Sequence, residues 1–101
     1  MIKLIALYKK PADEAAFLRH YENVHLPLAR KIPGITDLAV HRAVAAPLAE
    51  EPPYFLVGEV SFPNREAFEN AMRSKEFRDA TDDVMGFAEG LVTALAVERQ
   101  Q

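Results

Sequence analysis

The sequence contains no cysteine, so it has no disulfide, no thiolate nucleophile and no cysteine-ligated metal site. It has four glycines, and neither the P-loop nor the dinucleotide-binding glycine pattern occurs among them. A phosphate-binding loop of backbone N–H groups is therefore not expected. A chain free of cysteine suits a reducing compartment, and we expect a cytoplasmic protein.

Basic residues are scattered rather than clustered. The twelve lysines and arginines lie among fifteen acids, which gives a net charge of −3. A nucleic-acid interface needs a clustered basic face, and the sequence has none. The apolar runs fall short of the roughly 20 residues of a membrane span, and the N-terminal run is broken by Lys3 and lacks a cleavage site. We expect neither nucleic acid nor a membrane as a partner.

The chain has the length and composition of one folded domain. Its 101 residues are half hydrophobic and 27% charged, which is ordinary for a globular protein and too apolar for a disordered one. A single domain over residues 1–101 is predicted.

Hydrophobic periodicity and turn residues predict four strands and two helical regions. These are a strand from Ile2 to Lys9, a long helix capped by Asp13 and ended by Pro33-Gly34, strands from Ile35 to Val44 and from Tyr54 to Phe62 around a loop over 45–53, a helix over 65–73 capped by Asn64, a broken helix over 74–88, and a strand from Leu91 to Glu98. The order βαββαβ with right-handed crossovers predicts a ferredoxin-like α+β fold. In this fold both helical regions cover one face of a four-stranded antiparallel sheet.

Both faces of the predicted sheet are apolar. In the first strand, Leu4 and Ala6 point one way, and Ile5 and Leu7 point the other. Helices cover only one face, and an uncovered second face would exceed the apolar patch that soluble monomers tolerate. We therefore predict a homodimer that pairs the second faces around a twofold axis, forming a dimeric α/β barrel. The alternative is a monomer whose 45–53 loop or chain end folds over that face.

His25 is the leading candidate for chemistry. It lies on the flank of the apolar stripe of the first helix, beside Pro27, which lacks a backbone N–H and predicts that the helix kinks or restarts near His25-Leu26. An imidazole in an apolar cleft suits acid–base catalysis near neutral pH. The alternative is that it only hydrogen-bonds the carbonyl freed by the kink. His20 is roughly 140° away around an α-helix, so it is expected at the surface, and no metal site is predicted.

Further site residues are expected around this imidazole. Tyr21 lies on the same side of the helix and is a second candidate catalytic residue, which would orient a carbonyl or enolate oxygen, or else a core residue. Substrate contacts are predicted for Tyr8, at the end of the first strand, and for His41, whose strand face either lines a pocket or is exposed. Phe17 and Leu28, from the apolar stripe of the helix, complete the predicted substrate-binding set.

One group of residues carries a family resemblance: Tyr8-Lys9-Lys10-Pro11, then Phe17, Tyr21, His25, Pro27 and Leu28, and then Ile32-Pro33-Gly34. With these residues the chain resembles the EthD family, named from ethyl tert-butyl ether degradation, of the dimeric α/β-barrel superfamily. The Tyr-x3-His-x-Pro-Leu segment is the most specific part. The resemblance implies the same dimeric barrel, with His25 at the family's pocket and Tyr21 near it. Superfamily relatives include cofactor-independent cyclases, isomerases and small monooxygenases. They also include haem-degrading enzymes, whose pocket tryptophan this sequence lacks.

Two functional hypotheses are open at this point. In the first, the protein is an enzyme that binds a small hydrophobic, aromatic or polyketide-like molecule between the first helix and the sheet. It would work without a cofactor, by acid–base or oxidoreductase-type chemistry at His25. In the second, the dimer binds such a molecule without changing it, or supports a partner oxygenase. The family resemblance favours the first hypothesis, and the lack of a nucleophile, metal cluster or nucleotide motif favours the second.

Overall fold

The architecture is that of a ferredoxin-like α+β domain, described for residues 1–101 in a computed structural model. Its elements are β1 (Ile2–Tyr8), α1 (Glu14–His20), a π-helical turn (Tyr21–His25), α2 (Leu26–Arg30), β2 (Asp37–Arg42), β3 (Leu56–Phe62), α3 (Arg65–Met72), α4 (Lys75–Phe87) and β4 (Val92–Glu98). The four strands form one antiparallel sheet in the order β2-β3-β1-β4. The predicted fold class is confirmed.

Side-chain caps fix where three of the helices begin. Asp13, Asn64 and Ser74 each accept a hydrogen bond from the backbone N–H three residues later, at 3.1, 2.9 and 3.0 Å, which satisfies one of the free donors of a first turn. The caps at Asp13 and Asn64 were predicted. The broken helix predicted over 74–88 is wrong, because Ser74 starts one continuous helix of 13 residues.

Pro27 is accommodated by a π-helical turn rather than by a sharp break. The Leu26 N–H bonds the Tyr21 carbonyl, five residues back, and Pro27 then falls in the first turn of α2, where its missing N–H costs nothing. The chain therefore stays helical from Glu14 to Arg30. The kink or restart predicted near His25-Leu26 takes the form of one wide turn, after which α2 begins at Leu26.

The helices all pack on one face of the sheet. Tyr8 and Phe62, at opposite ends of the two central strands, are the largest fully buried side chains, and each lies in a core cluster with residues from the helices. The alternate residues point to the other face. We call this the open face; its residues are Lys3, Ile5, Leu7, Asp37, Ala39, His41, Val57, Glu59, Ser61, Thr93, Leu95 and Val97.

The open face is left uncovered by the rest of the chain. Leu95, midway along β4 on this face, is 44% exposed, and the β2–β3 connection holds Val44 and Leu48 almost wholly in solvent instead of folding them onto the sheet. The alternative in which the 45–53 loop covers this face is therefore not what the structure has. No helix is both long and apolar enough to cross a bilayer.

Candidate functional site

A cavity of about 240 Å³ lies between the helices and the sheet. It is lined by 20 residues, 16 of them hydrophobic, contributed by β1, the π turn, α2, β2, β3, α4 and β4. Met85 on α4 and Ala94 on β4 are exposed lining residues, so the cavity opens between that helix and that edge strand. A cleft between the first helical region and the sheet was predicted, and α4 is its additional wall.

The floor of the cavity is made of small residues. Ala6 faces Gly58 on one neighbouring strand and Ala94 on the other, so three small residues stand in one row across β3, β1 and β4. A Cβ at Gly58 would lie 2.7 Å from the Tyr21 hydroxyl oxygen. The glycine therefore makes room for that hydroxyl above the sheet.

Three polar side chains meet in this apolar space. Tyr8, Tyr21 and His25 are buried and line the cavity. The Tyr21 ring stacks on the His25 ring at a centroid distance of 5.5 Å and meets the Tyr8 ring edge-on at 5.4 Å. Two phenols and one imidazole are thus presented to the same volume.

Asp83 holds His25 from the opposite helix. Its Oδ2 is 3.1 Å from His25 Nδ1, and its Oδ1 is 2.7 Å from His20 Nε2. The prediction that a freed backbone carbonyl would bind the imidazole is therefore wrong. His20, predicted as a surface residue, is 36% exposed in its side chain and shares this carboxylate.

The π turn explains why two histidines five residues apart reach one carboxylate. In an α-helix residues 20 and 25 would diverge, but a turn closed by an i to i−5 hydrogen bond returns the sixth residue to the side of the first.

Asp83 was missed because α4 was predicted as broken. Once α4 is continuous, Asp83 falls three residues after Ala80 and four before Phe87 on its inner side. An acid on the inner side of a helix is the signal that the sequence offered.

The contact with Asp83 sets the tautomer of His25. A carboxylate only accepts hydrogen bonds, so Nδ1 carries the proton, and in the neutral ring Nε2 keeps its lone pair. No protein group hydrogen-bonds Nε2. Burial lowers the pKa of His25, and the hydrogen bond and charge of Asp83 oppose that shift without cancelling it. The ring is therefore a neutral base near neutral pH.

The two tyrosines stay protonated over the same pH range. Burial raises the pKa of Tyr21 to about 12, although interaction with the Tyr8 hydroxyl lowers it in part. The pKa of Tyr8 is raised further, first by burial and then by its neighbours Tyr21 and Asp83. A protonated phenol can donate a hydrogen bond, so the Tyr21 hydroxyl can offer its proton to a ligand.

The remaining predicted site residues lie away from the cavity wall. Phe17 is buried behind Tyr8, with ring centroids 5.5 Å apart, and Leu28 packs in the core around Phe62. His41 is on the open face, 56% exposed in its side chain, with Nε2 3.5 Å from a Glu59 carboxylate oxygen. Of the predicted set, Tyr8, Tyr21 and His25 therefore line the cavity, whereas Phe17, Leu28 and His41 do not. No group of three or more histidine, aspartate or glutamate side chains is arranged to hold a metal ion.

The fold and the cavity define a class, namely ferredoxin-like α+β domains that enclose a small apolar pocket between helices and sheet. Within that class, the sequence profile of the EthD domain matches residues 9–90. The chain belongs to the EthD family, so the resemblance noted in the sequence is confirmed.

The relatives agree with this assignment. The chain is 30% identical over 100 residues to an uncharacterized 11.0 kDa protein in the thcB-thcC intergenic region of Rhodococcus erythropolis, covering 99% of this chain and 96% of that one. The crystal structure of an EthD family protein from Bacillus halodurans C-125 is 42% identical, with a TM-score of 0.91 and 99% of both chains covered. A dimeric ferredoxin-like protein of unknown function from Thermobifida fusca YX shares the fold, with 15% identity, a TM-score of 0.70 and coverage of 97% and 90%.

Proposed function

We propose that this protein binds a small hydrophobic or aromatic molecule in the cavity and moves a proton on it with His25, without a resident cofactor. The observation that carries the proposal is the Asp83–His25 pair, which presents an uncommitted Nε2 lone pair to an apolar cavity. Burial, a fixed tautomer and a pKa below the ordinary value are the features of a general base that works near neutral pH.

The proposed reaction is the isomerisation of an enolisable carbonyl compound. His25 Nε2 takes a proton from the carbon next to the carbonyl, and the electron pair moves onto the carbonyl oxygen. The Tyr21 hydroxyl donates a hydrogen bond to that oxygen as negative charge develops on it. The imidazolium, whose N–H exchanges with water between the two steps, then gives a proton to another carbon or to the oxygen. Atoms and electrons balance with no further reactant.

Asp83 supports both halves of this cycle. Its hydrogen bond keeps Nδ1 protonated, so the base is always Nε2, and its negative charge stabilises the imidazolium that forms between the two proton transfers. Because His20 holds the second carboxylate oxygen, Asp83 is fixed from two sides. Asp83 and His20 act in this proposal as positioning residues.

We also propose that the protein works as a homodimer joined through the open face. Ile5, Leu7, Val57 and Leu95 form an apolar centre on that face, which no other part of the chain covers. The same surface on a twofold partner is self-complementary and would bury it. A neighbour of the same fold is described as dimeric, which supports a dimer.

A second candidate function is binding without chemistry, either as a carrier or in support of a partner oxygenase. Its supporting observation is the composition of the cavity wall, because 16 hydrophobic residues among 20 are sufficient to hold an apolar ligand. The two candidates share the cavity and differ in whether His25 transfers a proton.

Hydrogen–deuterium exchange separates the two candidates without knowledge of the natural substrate. Tetralone, a two-ring enolisable ketone, is incubated with the protein in D₂O, and loss of the proton signal next to the carbonyl is followed by NMR. We expect saturable exchange that falls at least about 100-fold in His25→Gln. Glu22→Gln, an exposed residue of the same turn, should leave it unchanged. Saturable binding with exchange no faster than in free imidazole would instead establish the second candidate.

A further inference from the structure

We propose that the ligand of this cavity is an uncharged ring compound that carries both a hydrogen-bond-accepting oxygen and an acidic proton, and that anions are excluded. Phenols and enolisable ketones belong to this class; carboxylates, phosphates and their thioester carriers do not. The inference rests on the proposed function, since it names the ligand of the same cavity. The distribution of charged side chains around the cavity supports the inference.

The wall offers no positive charge to an anion. None of the 20 lining residues is a lysine or an arginine, and the side chain of Glu59, the charged residue among them, points to the open face. Asp83 lies directly behind His25 and places a negative charge beside the cavity. A carboxylate or phosphate in this space would be desolvated without an ion-pair partner, which is strongly unfavourable.

A cation finds no free carboxylate either. Both oxygens of Asp83 are taken, one by His20 and one by His25. Glu59 lies near Lys3 and His41 on the open face, with contacts of 3.6 and 3.5 Å. The acids near the cavity are therefore already partnered, and an uncharged ligand fits the remaining apolar wall.

Two polar groups on neighbouring rings indicate the polarity of the ligand. The Tyr21 hydroxyl is a donor, and Nε2 of neutral His25 is an acceptor. The two rings stack at a centroid distance of 5.5 Å and both line the cavity, which favours a ligand that offers an acceptor and a donor close together. A phenol or an enol satisfies both partners, because its oxygen accepts and its proton is donated.

The volume of the cavity limits the size of the ligand. A dry cavity of about 150 Å³ lined by aliphatic side chains accommodates benzene, and this cavity measures about 240 Å³. One ring leaves space unfilled, and two fused rings use it. Met85, whose flexible side chain is half exposed at the opening, adapts to substituents that reach outward.

Calorimetric titration with a matched ligand set tests this proposal. The probes are naphthol, tetralone, naphthoate and naphthylmethylammonium, substituted at one ring position, together with naphthalene. We expect naphthol and tetralone to bind at least about tenfold more tightly than either ion, since an unpaired buried charge costs well over one factor of ten. Naphthoate or the ammonium compound binding as tightly as naphthol overturns the inference and leaves the proposed site intact. Failure of all five probes to bind overturns both.

Two variants test the roles of charge and of the Tyr21 hydroxyl separately. Thr81→Lys places a cation on the cavity wall and should reverse the ranking, so that naphthoate binds more tightly than naphthol. Tyr21→Phe removes the donor and should weaken naphthol and tetralone about tenfold while leaving naphthalene unchanged. An equal loss for naphthalene contradicts the assigned role of the hydroxyl. The wild-type ranking decides the matter even where a variant fails to fold.

Discussion

Gly58 leaves room for the Tyr21 hydroxyl at the floor of the cavity. Any other residue at position 58 would place its Cβ 2.7 Å from the Tyr21 hydroxyl oxygen, which is too close for both to fit. No pattern in the sequence predicted the row of three small residues, because Ala6, Gly58 and Ala94 become neighbours only when the strands pair. The contact makes Gly58 a positioning residue for the donor.

Gly58→Ala is expected to destabilise the fold by about 1–3 kcal/mol, because Tyr21 must move. The double variant Gly58→Ala with Tyr21→Phe should recover much of that loss, since the phenol oxygen is gone. Gly86→Ala, with nothing within 4 Å of the added Cβ, should stabilise α4 slightly. Denaturant unfolding measures all three. Equal losses in the single and double variants would show that the contact with the hydroxyl is not the cause.

The lowered pKa of His25 predicts a loss of stability in acid. The unfolded imidazole binds a proton near its ordinary value of 6.5, whereas the folded one binds it only at lower pH. The contribution of His25 is therefore fully present above 6.5 and is lost as the pH falls from there toward the folded value. The free energy of unfolding should decline less steeply below 6.5 in His25→Gln than in the wild type. Parallel declines would contradict the burial argument.

The π turn is the element that builds the site. It lets Pro27 sit in a helix, and by the same extra residue it brings His20 and His25 to one carboxylate. Pro27 indicated a disturbance at the right place in the sequence. Its form was not predictable from that residue alone, because a kink, a break and a wide turn all relieve the same clash. Asp83 on α4 identifies the wide turn, because both His20 and His25 contact its carboxylate.

Asp83→Asn is expected to cost about 1–3 kcal/mol in the free energy of unfolding, because two histidine contacts lose their charged acceptor. Asp82→Asn changes the neighbouring, exposed acid and should cost much less. NMR titration should also find the pKa of His25 lower still in Asp83→Asn, because the opposing effect of the carboxylate is removed. An unchanged His25 titration would mean that the Asp83 contact is not formed in solution.

The sequence was sufficient for the fold but not for the assignment of its faces. The sequence predicted the order βαββαβ, the caps at Asp13 and Asn64 and the surplus of apolar strand faces. Both alternations of β1 are apolar, so periodicity alone did not say which one faces the helices. The choice depends on Tyr8, which packs edge-on against Phe17 and Tyr21 in one cluster. Such packing is a property of the assembled layers.

At the scale of the whole molecule, the open face predicts the oligomeric state. The wild-type protein is expected at twice the 11.3 kDa mass of the chain in light scattering. Leu95→Lys places a charge among the apolar residues of the face, beside Ile5, and should give the single-chain mass. Val24→Lys changes an equally exposed apolar residue of the helical layer, 42% against 44%, and should leave the dimer intact. A wild-type protein at the mass of one chain would contradict the dimer.

The most direct test of the account follows the three histidine rings by NMR while tetralone is added. The chain has three histidines, two of them joined through Asp83 beside the cavity and the third, His41, on the open face. We expect the His25 signals to move saturably, the His20 signals to follow through the shared carboxylate, and the His41 signals to stay in place. Saturable binding that moves His41 and leaves His25 unchanged would contradict a site centred on His25.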